Sequence, residues 1–535
     1  MRMRQTEFRE VLGDKFMQLT SIIRRAAQVN PREMATIYKD RQQSWAEFVE
    51  RTAKLAGALQ KQGMKSGDRV AMLALNSDRY LEYVFGVLWG GGVIVPMNLR
   101  WSPAENAYSI DDSGTEIMLV DENFKDMVPA IQEKSTSLKT LIFSGEGETP
   151  AGMLNYGDII AAAEPVEDAG RGGEDLAGIY YTGGTTGFPK GVMLSHRSLY
   201  ISNLSNCREF CMPDGARYLH AAPMFHLADG AASLAATFAG GTHIMISSFT
   251  PLGTLEAMQE HKPTHVLLVP TMIQMLVQHP DFHQYDTSSL ATIMYGASAI
   301  SEAVLIEAMT KLPTTKFVQA YGQTELSPVA TILAPEYHTT EGPYAGKLRS
   351  AGKAVGTCEL KVVDEDGSEV PTGTVGHVAV KGPIAMLGYW NKPEQTADSL
   401  RDGWVYTGDG GYLDEDGFLF IADRLKDMIV SGGENVYSAE VEQAVTQHPA
   451  VAECATIGIP HEKWGESVHS IVILKPGEAA TEEEIITHCH DLIAGYKCPR
   501  SVAFRTEPMP LSAAGKVLKK DLRAPYWEGK ERNVN

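Results

Sequence analysis

The chain has 535 residues, 44% hydrophobic and 21% charged, an ordinary composition for a folded globular protein and too long for a single core. Its net charge of −20 argues against nucleic acid or an anionic membrane as the main partner, since both call for basic patches. Six cysteines make no disulfide framework in a chain of this length, and no apolar run reaches the 18 residues of a membrane span.

The start, Met1-Arg2-Met3-Arg4, leads into polar residues with no apolar h-region, so no signal peptide is expected and a cytoplasmic address is. Residues 15–63 read as helical, with apolar positions at helical spacing in Phe16, Met17 and Leu19 and again in Phe48, Leu55 and Leu59. Ser44 and Glu47 have the spacing of a capping box. From Gly67 onward short apolar strands (69–75, 93–96, 117–120, 141–143) alternate with helices (80–88, 102–113). Strands that are apolar throughout predict a buried, mainly parallel sheet. A Gly/Glu/Pro-rich connection over 145–175 leads to a strand at 176–181 and then to a glycine-rich loop.

A second alternating set follows. Its strands are expected at 243–246, 265–269, 292–295 and 317–319, and its helices at 198–207, 270–279 and 301–311, with an Ala/Gly-rich stretch at 227–237. Beyond about residue 345 the texture is all-β, with turns at Asp366-Gly367, Pro371-Thr372-Gly373 and Asp416-Gly417. The last hundred or so residues predict a compact α+β unit: helices 438–448 and 481–496, strands 452–458 and 470–474. Cys207, Cys211, His220 and His226, and His488-Cys489-His490, contain metal-ligand types, but neither group has a closed four-ligand spacing.

The loop Tyr181-Thr182-Gly183-Gly184-Thr185-Thr186-Gly187-Phe188-Pro189-Lys190-Gly191 has the makings of a phosphate cradle. Glycines let backbone N–H groups approach an anion, the threonines add hydroxyl donors and Lys190 adds charge. It is not a Walker A loop, because Gly191, not Ser or Thr, follows the lysine. Gln319-Ala320-Tyr321-Gly322-Gln323-Thr324-Glu325 leaves a strand at the edge where α/β proteins bind ligands. Its ring, hydroxyl and carboxylate suit a purine, a phosphate and a magnesium ion. Asp409 and Arg424 flank a hairpin built on residues 414–417 and could hold ribose hydroxyls; taken alone they equally suit a surface ion pair. Ser512-Ala513-Ala514-Gly515-Lys516 presents one lysine on a small-residue loop.

In this order these stretches resemble the adenylate-forming superfamily, which includes acyl-CoA synthetases, luciferase-like enzymes and peptide-synthetase adenylation domains. Tyr181–Gly191 matches the family's Y-T-S-G-T-T-G-x-P-K-G except for one Gly in place of Ser, at Gly183, which drops one hydroxyl but keeps the backbone donors. Tyr321–Glu325, Tyr406–Asp409, Asp423–Asp427, Gly432–Glu442 and Gly515-Lys516 match five further motifs, so the resemblance spans about residues 30–525.

The resemblance implies an α/β fold. Two alternating α/β sheet subdomains and a small β-barrel-like subdomain would form a domain over 1–425, and a small mobile α+β domain would follow over 426–535. It implies an acid–thiol ligase using ATP, magnesium and coenzyme A, which joins a carboxylic acid to AMP and then to the thiol. Catalytic roles fall to Thr182, His226 (the gate of the thiol route), Glu325 (also the metal ligand) and Lys516, with the hinge at Lys426. The cofactor-binding set is Thr182, Gly183, Gly184, Thr185, Thr186, Gly187, Lys190, Gly296, Ala297, Ser298, Gln319, Ala320, Tyr321, Gly322, Thr324, Asp409, Ile421, Arg424, Gly432, Gly433, Glu434 and Lys516. Small residues at Gly230, Ala231, Ala232, Gly296 and Ala297 leave room for an apolar tail, so a medium- or long-chain fatty acid is the leading expectation. A short, thio-substituted or aryl acid, or loading of a carrier protein, is the alternative. A nucleotide-sensing protein without turnover is hard to square with Lys516 and the hinge. The N-terminal helical region could serve as a homodimer arm or as the first packed helix.

Overall fold

The structure is a computed structural model that describes residues 16–182, 189–298, 300–424, 427–431, 434–512 and 516–528, without the side chains at 423, 424 and 435. Four sheets organise it. The first has eight strands in the order Gly388–Tyr389, Lys190–Ser195, Leu176–Thr182, Val93–Pro96, Arg69–Leu73, Ile117–Val120, Thr140–Phe143 and Leu154–Asn155. Its run from Leu176–Thr182 through Leu154–Asn155 is parallel. Val93–Pro96 and Ile117–Val120 are buried at every position, as strands covered on both faces must be.

The second sheet has nine strands, and its middle runs parallel through Lys316–Gly322, Thr292–Gly296, His265–Leu268, Arg217–His220 and Thr242–Met245. Its far edge corrects the sequence reading. Residues 34–44, expected to be helical, form the strands Met34–Tyr38 and Arg41–Ser44, so the helices of that region are only Thr20–Val29 and Trp45–Lys61. Met34–Tyr38 carries the β-formers Thr36, Ile37 and Tyr38, and it pairs with a distant partner, Thr36 opposite His243. The Ser44–Glu47 capping box is present and starts the second helix where expected.

Helix Leu227–Phe238 lies between the two sheets. Its Leu227 and Leu234 join the core of the first unit with Tyr80, Leu81 and Val87. Ala232, Ala235 and Ala236, with Ala228 beside them, face the second sheet at Leu267, Met294 and Val318. One helix thus seals two cores through opposite stripes.

The all-β stretch is a five-stranded antiparallel sheet over Glu359–Arg424, in which Leu419–Arg424 pairs with Trp404–Leu413 across the expected 414–417 turn. The last sheet packs Ser438–Thr446 and Glu482–His490 against Val451–His461 and Gly465–Leu474 over a core of Val441, Val445, Val468, Val472 and Ile485. The second of these helices begins at its Thr481–Glu484 capping box but stops at His490, short of the expected 496. Gly495 and Pro499 lie in the way of its continuation, and Ser501–Phe504 then joins the sheet in parallel. Among the described residues no helix is long and apolar enough to cross a membrane.

Candidate active site

The strands Leu176–Thr182 and Lys190–Ser195 pair antiparallel with Thr182 opposite Lys190, which places both at the mouth of the expected phosphate loop. Gly183, Gly184, Thr185, Thr186 and Gly187 lie outside the described residues, as do Lys426, Gly432 and Gly433. The Lys190 Nζ stands 4.9 Å from the centre of the Tyr389 ring, within cation–π range. The Tyr389 hydroxyl donates to Glu325 Oε1 at 2.8 Å. The candidate phosphate-binding cation and the candidate metal carboxylate are therefore joined through one tyrosine. Tyr389 escaped the sequence reading because its strand, Gly388–Tyr389, is two residues long and leaves no periodic signal.

Glu325 lies in the tight turn Thr324–Leu326, which follows strand Lys316–Gly322, and its carbonyl accepts from the N–H of Met386 at 2.9 Å. A side chain at Gly322 would put its Cβ 2.0 Å from the Pro328 carbonyl, and φ there is +157°, so the turn out of the strand requires glycine. One oriented carboxylate joined through Tyr389 to Lys190 suits magnesium, which takes one or two carboxylates and fills its other positions with phosphate oxygens and water.

Parallel pairing sets Gly296 beside Ala320 and Tyr295 beside Gln319, so two of the expected cofactor-binding stretches meet at one sheet edge. A Cβ at Gly296 would sit 2.2 Å from the Ala320 carbonyl. Ala297 follows in the left-handed region at φ +67°, a conformation that costs an L-residue roughly 1–2 kcal/mol and marks the Gly296–Ser298 turn as held in place by its surroundings. The Tyr321 hydroxyl donates to Asp409 Oδ2 at 2.7 Å, which brings in the third sheet. Asp409 is paired with Arg424 in register, and Ile421 lies with Tyr321 against the same apolar cluster. Glu434 is exposed at the start of the strand Glu434–Val436.

His226 caps helix Leu227–Phe238 at its N-terminus, and its ring packs on Phe225 with centroids 4.5 Å apart. Its Nε2 is inaccessible to solvent and has no hydrogen-bond partner among the described residues. Burial first, and then the positive charges of Lys516 and Arg100, hold its pKa down at about 4. His226 is thus neutral near pH 7, and Lys516 reaches the same site from the last sheet. Asn76, which the sequence reading passed over, fixes this turn: it accepts from the N–H of Met224 at 2.8 Å and donates to the carbonyl of Ala222 at 2.8 Å.

Asp229, the acid nearest the expected acyl pocket, is fully buried. Its Oδ1 accepts from the Tyr218 hydroxyl at 2.6 Å and its Oδ2 bonds His220 Nδ1 at 2.7 Å. With both oxygens engaged it is not placed to receive a substrate ammonium group.

Comparison with known proteins accords with this geometry. Residues 23–390 match the model of the AMP-binding enzyme family and residues 440–516 that of the AMP-binding enzyme C-terminal domain. A feruloyl-CoA synthase from Amycolatopsis sp is 36% identical over 503 residues, covering 94% of this chain and 98% of that protein. The medium/long-chain-fatty-acid–CoA ligase FadD8 of Mycobacterium tuberculosis is 35% identical over 504 residues, covering 91% and 86%. The crystal structure of ATP-bound MatB from Rhodopseudomonas palustris superposes with a TM-score of 0.86 at 30% identity, covering 96% of this chain and 100% of that one. The chain therefore belongs to the AMP-binding enzyme family, as an AMP-forming acyl-CoA synthetase of the adenylate-forming superfamily that works with ATP, magnesium and coenzyme A.

Proposed function

We propose that the enzyme activates a medium- or long-chain fatty acid through an acyl-AMP and passes the acyl group to coenzyme A. The observation that carries this reading is the face of helix Leu227–Phe238 turned to the second sheet. Ala228, Ala232, Ala235 and Ala236 pack with Leu267, Met294, Val318 and Ala320 there, a filled layer of small and apolar groups that offers an acyl chain apolar neighbours and no polar partner. The second reading is an aryl acid, favoured by the 36% identity to the feruloyl-CoA synthase.

In the first half-reaction a carboxylate oxygen attacks the α-phosphorus and pyrophosphate leaves, a step driven by positioning and charge neutralisation. Thr182, Thr185, Thr186 and Lys190 hold the departing phosphates, Thr324 the α-phosphate, and Lys516 lies between the carboxylate and the α-phosphate. Glu325 is the ligand for magnesium, which when bound screens the phosphate charge. Tyr321, packed beside Gln319 and Ala320, faces the base, while Asp409 and Arg424 hold the ribose. For the second half-reaction Lys426 is the hinge between domains 1–425 and 426–535, Gly432 and Gly433 line the thiol route, and His226 gates it.

The test is CoA-dependent AMP and pyrophosphate release with acetate, 3-methylthiopropionate, octanoate, palmitate, benzoate and ferulate. A peak at octanoate or palmitate is expected. Ala232→Phe should then lower kcat/KM for that acid by about tenfold or more, the scale on which a filled pocket discriminates, while acetate turnover is retained. A peak at ferulate or benzoate would transfer the assignment to the aryl reading, and equal loss for all acids would make Ala232 structural only.

A cytoplasmic address and self-association through the N-terminal region complete the proposal. Sedimentation velocity should show a species at about twice the 58.3 kDa chain mass; a monomer throughout would refute the dimer.

A further inference from the structure

After strand Val93–Pro96 the chain makes a tight turn in which the N–H of Arg100 donates to Asn98 Oδ1 at 3.0 Å, fixing the Arg100 backbone. The Arg100 Nη1 then reaches the other end of the chain, donating to the carbonyl of Ser512 at 2.8 Å and, more weakly, to that of Leu511 at 3.4 Å. These carbonyls belong to the base of a small hairpin. Leu511 pairs antiparallel with Val517, the N–H of Ser512 donates to the carbonyl of Lys516 at 2.7 Å, and the N–H of Lys516 donates to Ser512 Oγ at 3.1 Å. Leu511 and Val517 are packed on Ile457, Ile471 and Met509 of the last sheet, so the hairpin is seated on its own domain. The residue that Arg100 grips is therefore the one that fixes the backbone of Lys516.

We propose that Arg100 is a positioning residue for acyl-AMP formation: its guanidinium clamps the Leu511–Ser512 carbonyls, holding the hairpin in the placement that brings Lys516 to the reacting phosphate. The clamp joins the loop after Val93–Pro96, an inner strand of the first sheet, to the segment seated on the last sheet, so it must open whenever the two sheets separate. It favours the adenylating arrangement without contributing to the thioester step. The inference rests on the role given to Lys516 above.

The Arg100→Met variant keeps the aliphatic stem and removes the donors. A charge-assisted hydrogen bond with exposed partners corresponds to about tenfold in an equilibrium. Single-turnover pyrophosphate release without CoA should slow by about that factor through kcat, with KM for ATP and acid within about twofold. Thioester formation from supplied acyl-AMP should keep its wild-type rate. Arg100→Lys should recover part of the loss, and Ser512→Ala should show the same half-reaction split. Hydrogen exchange at the amides of 516–518 should accelerate in Arg100→Met while the strands 451–461 and 465–474 stay protected. Wild-type adenylation by Arg100→Met, or equal loss in both half-reactions, would overturn the clamp. Lys516→Ala serves as the reference: if it adenylates normally, the role of Lys516 fails first, and if it is inactive while Arg100→Met is normal, the clamp alone fails.

Discussion

Lys516→Ala is expected to lose acyl-AMP formation by about a hundred- to a thousandfold, the usual effect of removing one preorganised donor from a developing anion, while thioester formation from supplied acyl-AMP survives. The physical reason is placement. The Lys516 backbone is held by Ser512, donating to its Oγ and accepting from its N–H, and the lysine charge is felt at the buried His226 ring. In the first half-reaction negative charge builds on the α-phosphate, and a cation there stabilises the transition state more than the ground state. The thiol attack on the acyl-AMP carbonyl has no such demand on this side chain. The same variant offers a readout independent of turnover. Lys516 is one of two cations that depress His226, so its removal should raise the His226 pKa from about 4. The rise should stop short of the unperturbed value of about 6.5, because burial is the larger cause and persists. An NMR titration of the histidine would follow this. Equal loss of both half-reactions would remove Lys516 from the adenylation step specifically, and an unmoved His226 would mean that the lysine does not reach the site in solution.

What could be read in the sequence divides along a physical line. The buried parallel strands announced themselves because both of their faces are covered: Val93–Pro96 and Ile117–Val120 are unbroken apolar runs, and His265–Leu268 is apolar after its first residue. The Met34–Ser44 hairpin did not. Arg41–Ser44 is a polar edge strand, and its neighbour's partner, Thr242–Met245, belongs to a distant part of the chain. Local pattern carries no information about such pairing, and helical spacing on either side absorbed the gap. The site follows the same rule. The candidate site residues sit in contiguous motifs, so Thr182, Lys190, Tyr321, Glu325 and Asp409 could be nominated one by one. The contacts that orient them were not: Tyr321 to Asp409 spans two sheets, Arg100 meets Ser512 across a separation of 412 residues, and Asn76 holds the His226 turn from the loop after Arg69–Leu73. Sequence names the chemistry and tertiary packing aims it.

Glu325→Gln should lower acyl-AMP formation by about a hundredfold or more at fixed magnesium, with the loss partly recovered as magnesium is raised. The substitution is nearly isosteric, and the amide oxygen of glutamine can still accept from the Tyr389 hydroxyl that now bonds Glu325 Oε1 at 2.8 Å. What it removes is the negative charge, which makes a carboxylate a far stronger ligand for a hard divalent cation than a neutral amide oxygen. Tyr389→Phe separates charge from orientation. It keeps the ring 4.9 Å from Lys190 Nζ and the carboxylate itself, losing only one hydroxyl–carboxylate bond, so a smaller loss of about three- to tenfold is expected. The order of the two variants is the informative result. If Glu325 serves only to anchor Tyr389 and the segment through Met386, the two losses should be alike and neither should respond to magnesium. Calorimetry of ATP binding adds a measure free of turnover: wild type should gain affinity when magnesium is present, Tyr389→Phe should keep most of that gain, and Glu325→Gln should lose it. A Glu325→Gln protein that binds ATP with the full magnesium-dependent gain would show that the carboxylate facing Tyr389 is not the metal ligand, and the search would pass to other acids near the mouth of the 182–190 hairpin.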